Sequence, residues 1–251
     1  MYDPLDPASF SIIFGTIHLP ISHIDIITKV YECIDRYDKV YTETTLDQDI
    51  QQYITPYITL LNLNEWSKRY SNRSLARLKT IIKRAYGIEL THVMHLRPMI
   101  IMGLVYGSLQ KDESEKLDHA IWSYAQSKDK TLRGIETIQQ QVAIMKNIPL
   151  NYDFDALKKW MRNVPAMNKK FYKLIELYYK EDILQLYKNS ISSMGALKQL
   201  LIYDRNLYMS ERIIELHEQQ PSFFCFGAGH LAGSKGVLKL IKNKKYKVDR
   251  I

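Results

Sequence analysis

A chain of 251 residues, 46% hydrophobic and 25% charged, has the material for a sizeable core and the make-up of an ordinary globular protein. Its formal net charge is +8, but the basic residues are scattered apart from Lys239, Lys242, Lys244, Lys245, Lys247 and Arg250, so no nucleic-acid groove is expected. Two cysteines, Cys33 and Cys225, are too few for a disulfide framework or a thiolate metal site, and no stretch approaches the roughly 20 apolar residues of a transmembrane helix.

In chain order, Met1 to Pro7 carries neither the basic nor the apolar region of a secretory signal; the chain as written is expected to be cytoplasmic unless a leader was removed. Residues 11–17 read as a first strand, leading into Gly15-Thr16-Ile17-His18-Leu19. Ile24, Ile27, Val30, Tyr31 and Ile34 then keep a three-and-four spacing that predicts an amphipathic helix over about 22–37. Residues 39–43 form a second strand ending on Glu43, which completes a βαβ unit with parallel strands. Helical patterns follow over 57–69, over 74–86 with Gly87 as the stop, and over about 99–106 and 117–126. Residues 130–136 read as a third strand with Glu136 at its end, followed by a helix over about 137–145. Several short helices rich in Tyr, Leu and Lys fill 153–203, and Asp204 is the expected N-cap of a helix reaching about 218. Residues 223–226 are a strand that leads into Gly227-Ala228-Gly229-His230-Leu231. Gly233 and Gly236 shape a turn, 237–241 line a helix, and 246–248 start a last strand.

The two ends therefore share one plan, strand-GxxH-helix-strand. The expectation is an α/β fold with a mixed, largely parallel sheet built from these two units. A single domain over 1–251 would have its core in about 8–50, 128–146 and 204–251, and a long helical insert or cap in about 51–127 and 147–203.

The candidate chemistry sits at strand ends. His18, Glu43, Glu136 and His230 each fall just past a predicted strand, where open α/β sheets place their ligands. One such histidine alone is more often a hydrogen-bonded loop residue, and Glu136 could merely favour the start of the next helix. Two imidazoles with one or two carboxylates are nevertheless the usual ligand set of a catalytic divalent metal with an open position for water. Arg205 supplies fixed donors suited to a carboxylate or a developing oxyanion, with Asn206 beside it. Cys33 and Cys225 read as inert core thiols, His92 and His95 as structural, and His23, His119 and His217 as helix-surface residues.

Taken together, these motifs resemble the TraB/GumN family, related to the Tiki-type metalloproteases and more distantly to ChaN and erythromycin-esterase-like folds. The likeness runs from Phe14-Gly15-Thr16-Ile17-His18-Leu19-Pro20 through Tyr41-Thr42-Glu43-Thr44-Thr45-Leu46 and Leu96-Arg97-Pro98 to Leu117-Asp118. It continues in Gly134-Ile135-Glu136-Thr137 with Gln141, in Asp204-Arg205-Asn206, and from Gly227 to Leu238. Met99, where an aromatic residue is usual, and Lys245, where glycine is usual, depart from the family pattern.

The resemblance implies a metal-dependent hydrolase, a peptidase acting on a peptide or protein substrate. His18 and His230 would bind the ion, manganese or cobalt first and zinc next. Of Glu43 and Glu136, one would complete the metal site and the other activate water; Arg205 would steady the oxyanion, and Asn206 would orient it or a ligand. Two other readings stay open: a metal-independent hydrolase in which a histidine is the general base, as in esterase-like relatives, and a non-catalytic protein that holds a peptide or haem-like ligand.

Overall fold

The computed structural model describes residues 9–21, 26–46, 50–110, 114–192 and 194–251. Its elements begin with β1 (Ile12–Thr16), α1 (Ile27–Asp35), β2 (Lys39–Thr42), α2 (Ile50–Ile58), α3 (Asn64–Arg69) and α4 (Asn72–Tyr86). They continue with α5 (Leu90–Val93), α6 (Pro98–Leu109), α7 (Leu117–Ser127), β3 (Thr131–Gly134) and α8 (Ile138–Asn147). The rest are α9 (Leu150–Arg162), α10 (Val164–Tyr179), α11 (Ile183–Ser192), α12 (Asp204–Gln219), β4 (Phe223–Gly227) and α13 (Val237–Asn243). Among the described residues no helix is long and apolar enough to cross a membrane.

Contacts divide the chain into two compact units, residues 1–47, 112–141 and 176–251 in one and residues 48–111 and 142–175 in the other. The first unit holds the sheet. Its four strands lie in the order β1-β4-β2-β3, and every pairing is parallel. β4 is central, and Phe223, Phe224, Cys225 and Phe226 are all buried, as expected of a parallel strand covered on both faces. β3, at an edge, alternates exposed and half-buried residues. Met209, Ile213 and Leu216 of α12 and Val237 and Ile241 of α13 share one core cluster with Phe224 and Phe226.

The N-terminal plan of strand, GxxH loop, helix and strand is present, with β4 placed between its two strands. Of the predicted helix over 22–37, residues 22–25 lie outside the described residues and the remainder forms α1. The C-terminal plan is cut short: residues 246–248 join no ladder. Side chains dock this tail instead. Tyr246 and Val248 pack against the core cluster, and the Tyr246 hydroxyl donates to Glu218 on α12.

The second unit is helical, with a core built on Trp66, Leu78, Ile82, Leu90, Ile101, Phe154, Leu157 and Trp160. The single helix expected over 57–69 is broken between α2 and α3. After Ile58 the backbone pairs with the Leu96 segment, Leu60 N–H donating to the His95 carbonyl (2.7 Å) and Arg97 N–H to the Ile58 carbonyl (2.7 Å). Asn62 Oδ1 then accepts from Asn64 N–H (2.8 Å) as the helix restarts. Arg97 is buried and donates to Asp153 (2.7 Å) and to the carbonyls of Met145 and Ile148.

Candidate active site

Because all four strands run the same way, their carboxyl ends share one edge of the sheet. His18 lies two residues past β1, Glu43 one past β2, Glu136 two past β3 and His230 three past β4. Arg205 and Asn206 occupy the first turn of α12. The expected cap at Asp204 does not form, because a π-helical stretch, Gln199–Tyr203, runs directly into that helix; Asp204 accepts from the Gln199 side chain instead. A π segment beside a candidate site is a common association.

The structure joins Glu43, Glu136, Arg205, Asn206 and His230 in one hydrogen-bonded network. Arg205 Nε donates to both Glu136 oxygens (2.9 and 3.2 Å), and its Nη2 reaches Glu136 Oε2 (2.6 Å) and Glu43 Oε1 (2.5 Å). Its Nη1 lies 3.5 Å from His230 Nε2. Glu136 is almost wholly buried, and Gln141 Nε2 donates to its Oε2 (2.5 Å). Glu43 Oε2 accepts from the Gly227 backbone N–H (3.1 Å), a donor delivered by the end of the central strand. Desolvation alone would raise the Glu43 pKa, but Arg205, His230 and the Gly227 N–H outweigh it and hold the carboxyl at about 2. Glu43 is therefore ionised at neutral pH.

His230 is buried, and Asn206, fully buried, sets its tautomer. Asn206 Nδ2 donates to the Lys235 carbonyl (2.7 Å), so the amide oxygen is the atom that meets His230 Nδ1 (2.6 Å). Nδ1 must then carry the proton, leaving a lone pair on Nε2 toward the site. Burial, reinforced by Arg205 and opposed by Glu43, lowers the His230 pKa to about 4, so the ring is neutral.

His18 meets a carboxylate of its own, Asp118. Its Nδ1 meets Asp118 Oδ2 (2.6 Å), and 91% of its side-chain surface is open. The hydrogen bond to Asp118 raises its pKa above the ordinary histidine value, with the charges of Asp118 and Glu43 adding to the effect against partial desolvation. Asp118 reaches His18 because the chain after the histidine pairs with the start of α7. Pro20 and Lys116 form an antiparallel bridge, and Leu117 N–H donates to the Leu19 carbonyl (2.9 Å). Gly15 is needed for close approach: a Cβ there would lie 2.6 Å from Leu231 Cδ1 and 3.0 Å from Ala228 Cβ, in the loop that carries His230.

The donor chemistry suits a divalent cation at His18, His230 and Glu43. Each imidazole meets an oxygen at Nδ1, the usual outer-shell support of a metal-ligating histidine, and Glu43 is ionised. Glu136 fits less well, since both its oxygens are taken by Arg205 and Gln141. Among the described residues, no three His, Cys, Asp or Glu side chains are drawn together closely enough to cage an ion. The guanidinium of Arg205 lies on both glutamates instead.

Reading the residues for chemistry singled out neither Asp118 nor Gln141. Both fall within segments that carry the family resemblance, but Asp118 is 100 positions from the histidine it holds, and the pairing of residues 19–21 with 115–117 brings them together. Cys225 is buried and its thiol pKa is pushed well up by desolvation, while Cys33 is half-buried on α1.

A model of the TraB/PrgY/gumN family matches residues 5–250. Metalloprotease TIKI2 of Danio rerio is 41% identical over 56 residues, 21% of this chain and 11% of that protein. Metalloprotease TIKI1 of Xenopus tropicalis is 44% identical over 54 residues, 20% of this chain and 11% of that protein. Metalloprotease TIKI homolog of Nematostella vectensis is 37% identical over 54 residues, 20% of this chain and 12% of that protein. Each match thus spans a small part of the relative. No solved structure matches the chain.

Proposed function

The chain belongs to the TraB/PrgY/gumN family, and from that membership and the donor chemistry of the site we propose that it is a metal-dependent hydrolase acting on peptides or unfolded protein segments. One observation carries the reading. Two imidazoles, each meeting an oxygen at Nδ1, lie within the electrostatic reach of the ionised Glu43. The charge balance supports it as well, since Glu43 and Glu136 share the single guanidinium of Arg205, a deficit suited to a cation.

His18, His230 and Glu43 would hold the ion, with manganese or cobalt the first choices and zinc the next. The ion would supply a water of lowered pKa and polarise the scissile carbonyl. The chain's own groups do the rest. Asn206 keeps His230 in the tautomer that presents Nε2, Asp118 orients His18 through Nδ1, Arg205 offers donors to a developing oxyanion, and Glu136, with Gln141, anchors Arg205.

Peptide hydrolysis by the wild type, His18→Ala and His230→Ala with added Mn2+ or Co2+ tests this. Activity that needs both histidines and the ion is expected; equal activity in all three proteins would sink the mechanism. The His18–Asp118 pair favours a second reading, in which His18 with its raised pKa acts as general base without a metal. Hydrolysis that survives exhaustive chelation but is lost in His18→Ala would select it.

A further inference from the structure

The contacts of Arg205 reach Glu43, Glu136 and His230 at once. Its position coincides with where an incoming cation must act. Glu43 Oε1 and the lone pair on His230 Nε2, two of the donors assigned above, both face the guanidinium, at 2.5 and 3.5 Å. The arginine is not attached symmetrically. Nε and Nη2 form a two-pronged hold on the nearly buried Glu136, which Gln141 also braces, whereas Glu43 receives Nη2 alone and is the more open carboxylate, at 31% against 2% of side-chain surface. One end is anchored and the other is loose.

We propose that Arg205 is a resident counter-ion of this site, which a divalent cation displaces from Glu43 while the grip on Glu136 holds. The inference rests on the metal-dependent reading above. Coulomb repulsion sets its direction: a fixed positive charge within hydrogen-bond distance of a ligand carboxylate weakens cation binding there, and its removal strengthens it. Displacement releases the Nη2 hydrogen that Glu43 holds while Nε and the other Nη2 hydrogen keep their grip on Glu136, so one N–H that would meet an oxyanion becomes free when the cation arrives. Cation uptake and the readiness of Arg205 are then one coupled event.

Titration calorimetry of the whole chain with Mn2+ tests the proposal. Arg205→Gln should bind Mn2+ about tenfold or more tightly than the wild type, as loss of a competing unit charge predicts. Because Arg205→Gln leaves Glu136 buried without its partner, the Glu136→Gln/Arg205→Gln double variant provides a neutral pair in the same space and should also bind more tightly than the wild type. Affinity equal to or weaker than wild type in folded variants overturns the proposal while leaving the metal-dependent reading intact. No binding by any of the proteins removes both.

A measurement on the wild type stands apart from variant folding. On saturation with diamagnetic Zn2+, the 1H–15N resonances of the Arg205 guanidinium should show Nε and one Nη2 hydrogen still bonded to Glu136 and the second Nη2 hydrogen released from Glu43. A spectrum unchanged at saturation overturns the displacement.

Discussion

Asn206 donates to the Lys235 carbonyl and so has only its oxygen to offer His230, and that single orientation makes the imidazole a donor at Nδ1 and a lone pair at Nε2. The same buried ring gives the protein an acid sensitivity whose sign can be worked out. Folded, His230 titrates at about 4, against an ordinary 6.5, because burial disfavours its charged form. Between those values the unfolded chain binds the extra proton, so stability falls as pH drops, by about 3 kcal/mol at most. Glu43 extends the trend: its folded pKa of about 2 lies below the ordinary 4.5, so its contribution is present above the ordinary value and is lost as pH falls toward 2. His18 acts oppositely; its raised pKa contributes stability below the ordinary histidine value that is lost as pH rises through the folded one, an effect kept small by its exposure. Thermal melts of the metal-free protein should therefore lose midpoint steadily from about pH 6.5 to pH 4.5, and His230→Gln should flatten that interval. An unflattened slope in the variant would show that His230 is not its source.

At the level of elements, β1 and β4 were legible as apolar runs leading into Gly-x-x-His, and β2 and β3 as short segments leading into a glutamate. The central position of β4 follows from Phe223 to Phe226, a run with no polar face. What could not be read were features decided by distant partners. Residues 59–63 leave the helical path because the Leu96 segment offers them backbone hydrogen bonds, and Tyr246 reaches Glu218 instead of pairing in the sheet. The candidate site divides in the same way. His18, Glu43, Glu136 and His230 were visible as strand-end residues, but the clamp of Arg205 on two carboxylates and the tether of His18 to Asp118 depend on which loops meet. Gly134, at the end of β3, shows how tightly they meet. A Cβ there would lie 2.4 Å from the Glu136 carbonyl oxygen and 2.9 Å from Thr44 Cα and Thr45 N, all backbone atoms. Gly134→Ala must force apart the segments that carry Glu43 and Glu136. We expect a loss of about 1–3 kcal/mol in chemical denaturation, with activity falling further than stability explains. An unaltered denaturation midpoint would contradict this packing.

On the scale of the whole molecule, the helical unit has its own polar keystone. Asp153 is 1% exposed, and burial raises its carboxyl pKa despite the Arg97 guanidinium beside it. Such a pair contributes modestly when intact and costs about 3–5 kcal/mol when only one partner is removed. Arg97→Met should accordingly expose residues 48–111 and 142–175 to limited proteolysis, and Arg97→Met/Asp153→Leu should be the more resistant of the two. Equal susceptibility of single and double variants would count against a desolvation origin. The strand order carries a consequence of another kind. β2 and β3 can pair once residue 134 has been made, but the described neighbour of β1 is β4, so Ile12 must wait for Phe223. At about 5–20 residues per second of synthesis, that delay is on the order of 10–40 seconds. During translation, the nascent chain carries Ile12, Ile13 and Phe14 as an unsatisfied apolar edge, a target for chaperones and a hazard if synthesis stalls. The sheet is thus completed late, by a non-local closure that also brings His230 to the edge where the other strand-end residues stand.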